Sequence, residues 1–414
     1  MKKEMRYLVP EDYMADPAVH VFNGKVYIYP SHDWESGIPE NDNGDHFNMK
    51  DYHVFSTDDV MHGEIKDHGV VLATEDIPWA GRQLWDCDVA LKDGKYYMYF
   101  PLKDQNDIFR IGVAVSDSPE GPFIPQADPI RGSYSIDPAI LDDGNGCYYM
   151  YFGGLWGGQL QRYRDNKALE SAAFPPDNEP SIPGRVAKLS DDMLQFAEEP
   201  KPVVILDENG KPLTAGDNER RFFEASWMHK YNGKYYFSYS TGNTHRLCYA
   251  IGDNPYGPFV YQGVILTPVV GWTTHHAITE YKGKWYLFHH DCVPSNGKTW
   301  LRSLKVCELE YDSEGKIITI EERQATCPGR FPHTMHGEEA RLELPLCNRP
   351  AIWSLSPAPP ARKRTAHPSL HGESGLQPSH PQPLGQHGPN RRARLCRTVA
   401  LGLGEAARHI LRQI

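Results

Sequence analysis

The 414-residue chain contains no apolar run long enough to cross a bilayer. Its basic start, Met-Lys-Lys-Glu-Met-Arg-Tyr-Leu-Val-Pro (1–10), has no apolar stretch behind it. No export signal is therefore read, and a cytoplasmic location is expected. Positive charge is in short supply. The net charge of −11 disfavours nucleic acid and anionic membrane as partners. The eight cysteines form no CxxC pair and no zinc-type spacing, which leaves free thiols in a reducing compartment as the expected state. Amphipathic helical periodicity is missing from 1–320, so an all-β fold is expected there.

What is present is a repeat. Asn-Gly-Lys-Val-Tyr-Ile-Tyr (23–29) returns as Asp-Gly-Lys-Tyr-Tyr-Met-Tyr (93–99) and Asn-Gly-Cys-Tyr-Tyr-Met-Tyr (145–151). It recurs as Asn-Gly-Lys-Tyr-Tyr-Phe-Ser-Tyr (232–239) and Lys-Gly-Lys-Trp-Tyr-Leu-Phe-His (282–289). Each copy reads as a tight turn entering a half-buried strand. A second motif, Val-Ala-Val-Ser-Asp-Ser-Pro-Glu-Gly-Pro-Phe (113–123), is echoed at 249–259, with looser versions at 54–60 and 187–193. Five strand-rich units predict a five-bladed β-propeller rather than a β-sandwich. The propeller is assigned to 1–323, with 155–185 as an insertion between blades. From 324 the composition shifts: the segment 324–414 has no Asp, no Tyr and a single Lys (Lys363), with abundant Arg, Pro and His. This tail is expected to be disordered, or the product of a frame shift or a vector.

Three carboxylates occupy equivalent points before these strands. They are Asp16 in Tyr-Met-Ala-Asp-Pro-Ala-Val (13–19), Asp137 in Ser-Ile-Asp-Pro-Ala-Ile-Leu (135–141), and Glu224 in Phe-Phe-Glu-Ala-Ser-Trp-Met (222–228). In a radial fold such positions converge on the axis. An Asp before Pro often only caps a turn. Glu224 interrupts an apolar run and needs water, a partner or a pocket.

Residues 10–320 resemble glycoside hydrolase family 43, inverting five-bladed propellers that act on xylose- and arabinose-containing glycans. The resemblance rests on Ala-Asp-Pro (15–17), Leu-Trp-Asp-Cys-Asp-Val (84–89), Ile-Asp-Pro-Ala (136–139), Phe-Glu-Ala-Ser-Trp (223–227) and Thr-His-His-Ala-Ile (274–278), in that order. It implies Asp16 as general base, Glu224 as general acid, and Asp137 as the carboxylate that orients the acid and raises its pKa. Base and acid of an inverting enzyme stand ~6.5–9.5 Å apart, with room for water between them. The resemblance further implies a divalent cation, calcium or magnesium, held on the axis by His275, with His276 as the alternative register. Arg302 corresponds to an arginine that binds sugar hydroxyls, and Trp85 to a pocket-lining tryptophan. Asp33 and Trp156 are further pocket candidates, while His32, Asp86 and Asp88 receive no role. Two features depart from the family pattern. Asp86-Cys87 replaces the common Ala-Pro, and the tail offers no strands for a β-sandwich that closes the site. Closure then falls to loops or to another subunit of a homo-oligomer.

The expected activity is exo-acting release of xylose, and also of arabinose, from xylo- or arabino-oligosaccharides. An exo- or endo-arabinanase is the alternative within the family. A non-catalytic carbohydrate-binding propeller, or a retaining fructoside enzyme with carboxylates ~5–5.5 Å apart, are the alternatives outside it.

Overall fold

Four two-residue turns set the register of the architecture. Asn23-Gly24, Asp93-Gly94, Asn232-Gly233 and Lys282-Gly283 all have both residues at positive φ. This is the type I′ geometry whose twist matches paired strands, and glycine takes its second position without steric cost. Each turn places its flanking residues in direct register, as in Phe22↔Lys25 and Tyr231↔Lys234. The computed structural model describes residues 3–322 except 145 and 243. The expected tail, 324–414, lies outside the described residues.

These turns join the first and second strands of four of five antiparallel sheets. The first sheet runs Met14–Phe22, Lys25–Trp34, Asn48–Thr57 and Lys66–Ala73. The second runs Asp88–Lys92, Lys95–Asp104, Phe109–Ser116 and Ile124–Pro125, with Ala80–Arg82 added beside Lys95–Asp104. The third runs Ala139–Asp142, Tyr148–Phe152, Arg185–Lys188 and Lys201–Pro202. The fourth runs Phe222–Tyr231, Lys234–Thr241, Leu247–Gly252 and Phe259–Leu266, with Ile205–Leu206 parallel to the last. The fifth runs His276–Tyr281, Lys284–Asp291 and Ser303–Leu309, and its outer strand is Met5–Tyr7 from the other end of the domain. That pairing closes the propeller and covers an open edge. The first strands of the five sheets neighbour one another in a closed ring.

The two sequence repeats turn out to be halves of one joint. A tyrosine on the second strand of a blade donates its hydroxyl to the carbonyl of the second motif in the next blade. Tyr29 bonds Pro119 O at 2.8 Å, Tyr99 bonds Met193 O at 2.9 Å, and Tyr151 bonds Pro255 O at 2.7 Å. These rings are fully buried, so each hydroxyl needs such a partner. Nearer the axis, Asp88 accepts from Ile140 N at 2.6 Å and contacts His20 Nε2 at 2.5 Å, which ties the first three blades together. Asp88 is thus a structural staple.

The segment 155–185 departs from its expected place. It lies within the third blade, between its second and third strands, not between blades. It contains 3-10 turns at Trp156–Gly158 and Leu160–Arg162 and a small hairpin, Tyr163–Arg164 with Lys167–Ala168. Leu155 N donates to Phe223 O at 3.1 Å, so the insertion is anchored beside the strand that carries Glu224.

Candidate active site

Asp16 and Glu224 sit where the first strand of a blade is locally distorted, and Asp137 lies two residues ahead of its blade's first strand, Ala139–Asp142. Asp16 has φ 43° and Asp137 φ 59°, and Ala225, next to Glu224, has φ 62°. The strand pairing slips between Ala15 and Ala18, and again on both sides of Glu224. Bulges re-aim side chains out of the alternating pattern, and strained backbone of this kind gathers at functional sites. Here they turn acids toward the axis that a regular strand would leave in the sheet.

Asp16 lies in a cationic setting. Its Oδ1 accepts from Arg302 Nη1 at 2.7 Å, and its Oδ2 from Ser31 Oγ at 2.6 Å. His290 Nδ1 accepts the Asp16 backbone N–H at 3.2 Å, and His275 Nδ1 stands 3.7 Å from Oδ1. Burial pushes the Asp16 carboxyl up, but Arg302, the two histidines and the Ser31 hydroxyl together pull it down to about 2. Asp16 is therefore ionised at neutral pH. Arg302 is held in turn by Asp33, which accepts from Nε at 2.8 Å and Nη2 at 2.7 Å and also from the Arg302 backbone N–H.

Glu224 lies in the opposite setting. Burial raises its carboxyl well above the usual range, and the charges of Asp137 and Asp16 raise it further. No cation pairs with its carboxylate among the described residues. Asp137 Oδ2 accepts the N–H of Ala225, which fixes this carboxylate beside the backbone that carries Glu224. Burial likewise raises Asp137.

A third cluster joins the two sides. One ligand atom from each of Asp86, Asp137 and His275 lies within 4.8 Å of the others, and all three residues are buried. Asp86 Oδ2 has no hydrogen-bond partner, and burial beside Asp137 raises its carboxyl well above the usual range. Two carboxylates and an imidazole around one point suit a divalent cation with oxygen-rich coordination. These residues therefore fit the expected ion. The register falls on His275, because His276 Nε2 is engaged with Ser238 Oγ at 2.6 Å in the core.

The sequence profile described as Glycosyl hydrolases family 43 matches residues 9–317. A xylosidase/arabinosidase of Bacteroides ovatus is 84% identical over 321 residues, 78% of this chain and 99% of that protein. The chain belongs to glycoside hydrolase family 43. A β-xylosidase of Xylanibacter ruminicola is 65% identical over 76% of this chain and 99% of its own length. Among solved structures, RS223-β-xylosidase superposes with a TM-score of 0.76 at 77% identity, covering 77% of this chain and 98% of that one. A family 43 β-xylosidase/α-arabinofuranosidase from a compost metagenome, solved with xylotriose in a calcium-free form, gives 0.75 at 61% identity, covering 78% and 98%. The protein is a glycoside hydrolase built as a five-bladed propeller.

Within this family-43 site, the residues expected to touch sugar divide into two groups. Arg302 is 2% exposed and its donors face Asp33, Asp16 and Thr273 Oγ1, so its partners in this structure are the two carboxylates and a hydroxyl. Asp33, assigned to the pocket from sequence, is buried with both oxygens on Arg302 and stands one layer further back. Trp85 is also buried. It packs with Phe47, Met49, Phe109 and Ile136, under Gly44 and Gly157, where a Cβ on Gly44 would come within 2.7 Å of the ring. Trp156 is 41% exposed and packs on Phe174 at the insertion anchored beside Glu224's strand, which suits a sugar-facing ring.

Sequence reasoning missed three contributors. Asp86 lacked a signal because its motif departs from the family pattern at that position. His290 is hidden in the strand run Phe-His-His-Asp (288–291), and Ser31 in an ordinary strand. Only tertiary packing brings the latter two to Asp16.

Proposed function

We propose that the protein is an inverting exo-β-xylosidase that also accepts α-L-arabinofuranosides. The observation that carries the reading is the divided setting of one site: Asp16 is bonded to Arg302 and Ser31, while Glu224 stands beside Asp137 with its carboxyl raised well above the usual range. Glu224 donates its proton to the glycosidic oxygen as the bond to the anomeric carbon breaks. Asp16 takes a proton from a water that attacks that carbon from the opposite face, so configuration inverts. Arg302 keeps Asp16 charged and oriented. Asp137 fixes the backbone beside Glu224, and its charge helps to hold the proton there. Asp86, Asp137 and His275 are the residues that would hold a calcium or magnesium ion. When bound, the ion supplies a fixed positive charge next to the acid pair and tunes their proton affinities.

Support for xylose comes from relatives described as β-xylosidases and from neighbours solved with xylotriose. Support for arabinose comes from the xylosidase/arabinosidase relatives. Short oligosaccharides are the substrates we assign. The test is nitrophenol release from the β-xylopyranoside and the α-arabinofuranoside, first in EDTA and then with added calcium or magnesium. Cleavage of the xyloside that rises with the ion is expected. No cleavage of either glycoside would overturn the reading and point to arabinan oligomers.

A further inference from the structure

Outside the catalytic cluster, the first blade gathers a second group of metal-ligating side chains. His32 lies at the end of Lys25–Trp34, Asp51 and His53 on Asn48–Thr57, and Asp67 on Lys66–Ala73. One ligand atom from each of His32, Asp51 and His53 lies within 4.8 Å of the others. The two imidazoles meet edge to face with centroids 5.2 Å apart. His32 Nδ1 is 2.6 Å from Asp51 Oδ1, and Asp12 Oδ2 is 3.4 Å from its Nε2. His53 Nδ1 faces both oxygens of Asp67, at 3.1 and 3.2 Å.

We propose that His32, Asp51 and His53 form a second metal site, for a zinc-class ion, on the outer part of the first blade. Two imidazoles and a carboxylate make a borderline-soft set that zinc prefers to oxygen-only sites. That chemistry separates it from the axis cluster, where two carboxylates and one imidazole suit calcium or magnesium. Asp67 supplies what a ligating histidine needs. It takes the Nδ1–H of His53, which fixes the tautomer and leaves Nε2 for the ion. Tetrahedral ligands about 2 Å from zinc stand about 3.3 Å apart, so small side-chain rotations complete the triad. The ion takes the place of the proton between His32 and Asp51, so binding releases that proton. Asp12 and Asp67 are both partly exposed, which leaves the group an opening to solvent and room for a fourth ligand.

The test uses the full chain, stripped with EDTA and dialysed against zinc or, as a spectroscopic probe, cobalt(II). Wild-type protein is expected to retain about one more zinc per chain than His53→Gln or Asp51→Asn, and to show visible cobalt bands that both variants lose. Xyloside turnover, retained in both variants, reports that they fold. Equal zinc content in wild type and both variants would overturn the proposal. So would loss of the zinc from His275→Ala with its retention in His53→Gln, since that would place the ion on the axis.

Discussion

The two sides of the active site contain the same functional group and give it opposite states. Asp16 meets a buried guanidinium, two imidazoles and a serine hydroxyl, and is held ionised down to about 2. Glu224 meets Asp137, with Asp86 behind it, and burial beside these acids raises its carboxyl well above the usual range. Burial acts in the same direction on both, against charge. The difference therefore comes from the neighbours: a buried guanidinium and a hydroxyl donor on one side, acids on the other. In the proposed reading, this contrast lets one fold supply a base and an acid at one pH.

The most severe way to break this contrast is to remove the base. Asp16→Ala is expected to lower kcat on xylobiose by about 10⁴-fold while the circular dichroism spectrum is unchanged. Near-normal turnover would rule Asp16 out as base. Next comes the acid. Glu224→Ala should cost about 10³-fold on xylobiose and far less on an activated aryl xyloside, whose leaving group needs no proton. Equal losses on both substrates would contradict the assignment. Removing the cation that separates the two sides should be milder for chemistry and harsher for stability. Arg302→Met leaves Asp16 and Asp33 buried without their partner, at a cost of about 3–5 kcal/mol. Because the Asp16 pKa then rises, the acidic limb of kcat/KM should move to higher pH, and Arg302→Lys should restore part of it. A limb that stays in place would show that Arg302 does not set the charge of the base. Asp86→Asn should weaken calcium binding, measured calorimetrically, by about 10- to 100-fold. Unchanged affinity would remove Asp86 from the ion site.

The smallest expected effect lies outside the site and serves as its control. Glu322 pairs with Lys305 and His289 near the end of the described chain, and these contacts draw its carboxyl from 4.5 to about 2 despite burial. A lowered folded-state pKa contributes stability above 4.5 that is lost as pH falls toward 2. Glu322→Gln should therefore lower stability at pH 7 by about 3 kcal/mol and less in acid, leaving the pH profile of catalysis in place. A shifted profile would show that this network reaches the site through His290, which lies between His289 and Asp291.

Much of this was legible in the chain itself, because repetition leaves a pattern. Asn-Gly, Asp-Gly or Lys-Gly before alternating aromatics announces the type I′ hairpins of four blades, and five copies of the motif announce five blades, although the third blade's strands are joined by the longer loop 143–147. The three acids were visible because each breaks the strand pattern at the same point. What stayed hidden is what packing decides. The closing strand Met5–Tyr7 is only three residues long and carries no motif. Arg302 reads as a sugar ligand, yet its partners are Asp16 and Asp33, distant in sequence by most of the domain. Trp85 reads as a pocket wall, but Gly44 and Gly157 allow chain segments to cover it. The tyrosine-to-carbonyl joints between blades explain why the second motif recurs, though neither motif alone reveals its partner.

The most direct test of the divided site is the pH dependence of kcat/KM for xylobiose, whose leaving group needs the proton, in wild type and in Glu224→Ala. The account predicts a wild-type profile that holds its activity well into acid, because Asp16 stays ionised to about 2, and that falls on the alkaline side as Glu224 loses its proton. In Glu224→Ala the alkaline fall should vanish while the acid side is retained. An alkaline limb that persists in Glu224→Ala would contradict the claim that this residue holds the catalytic proton.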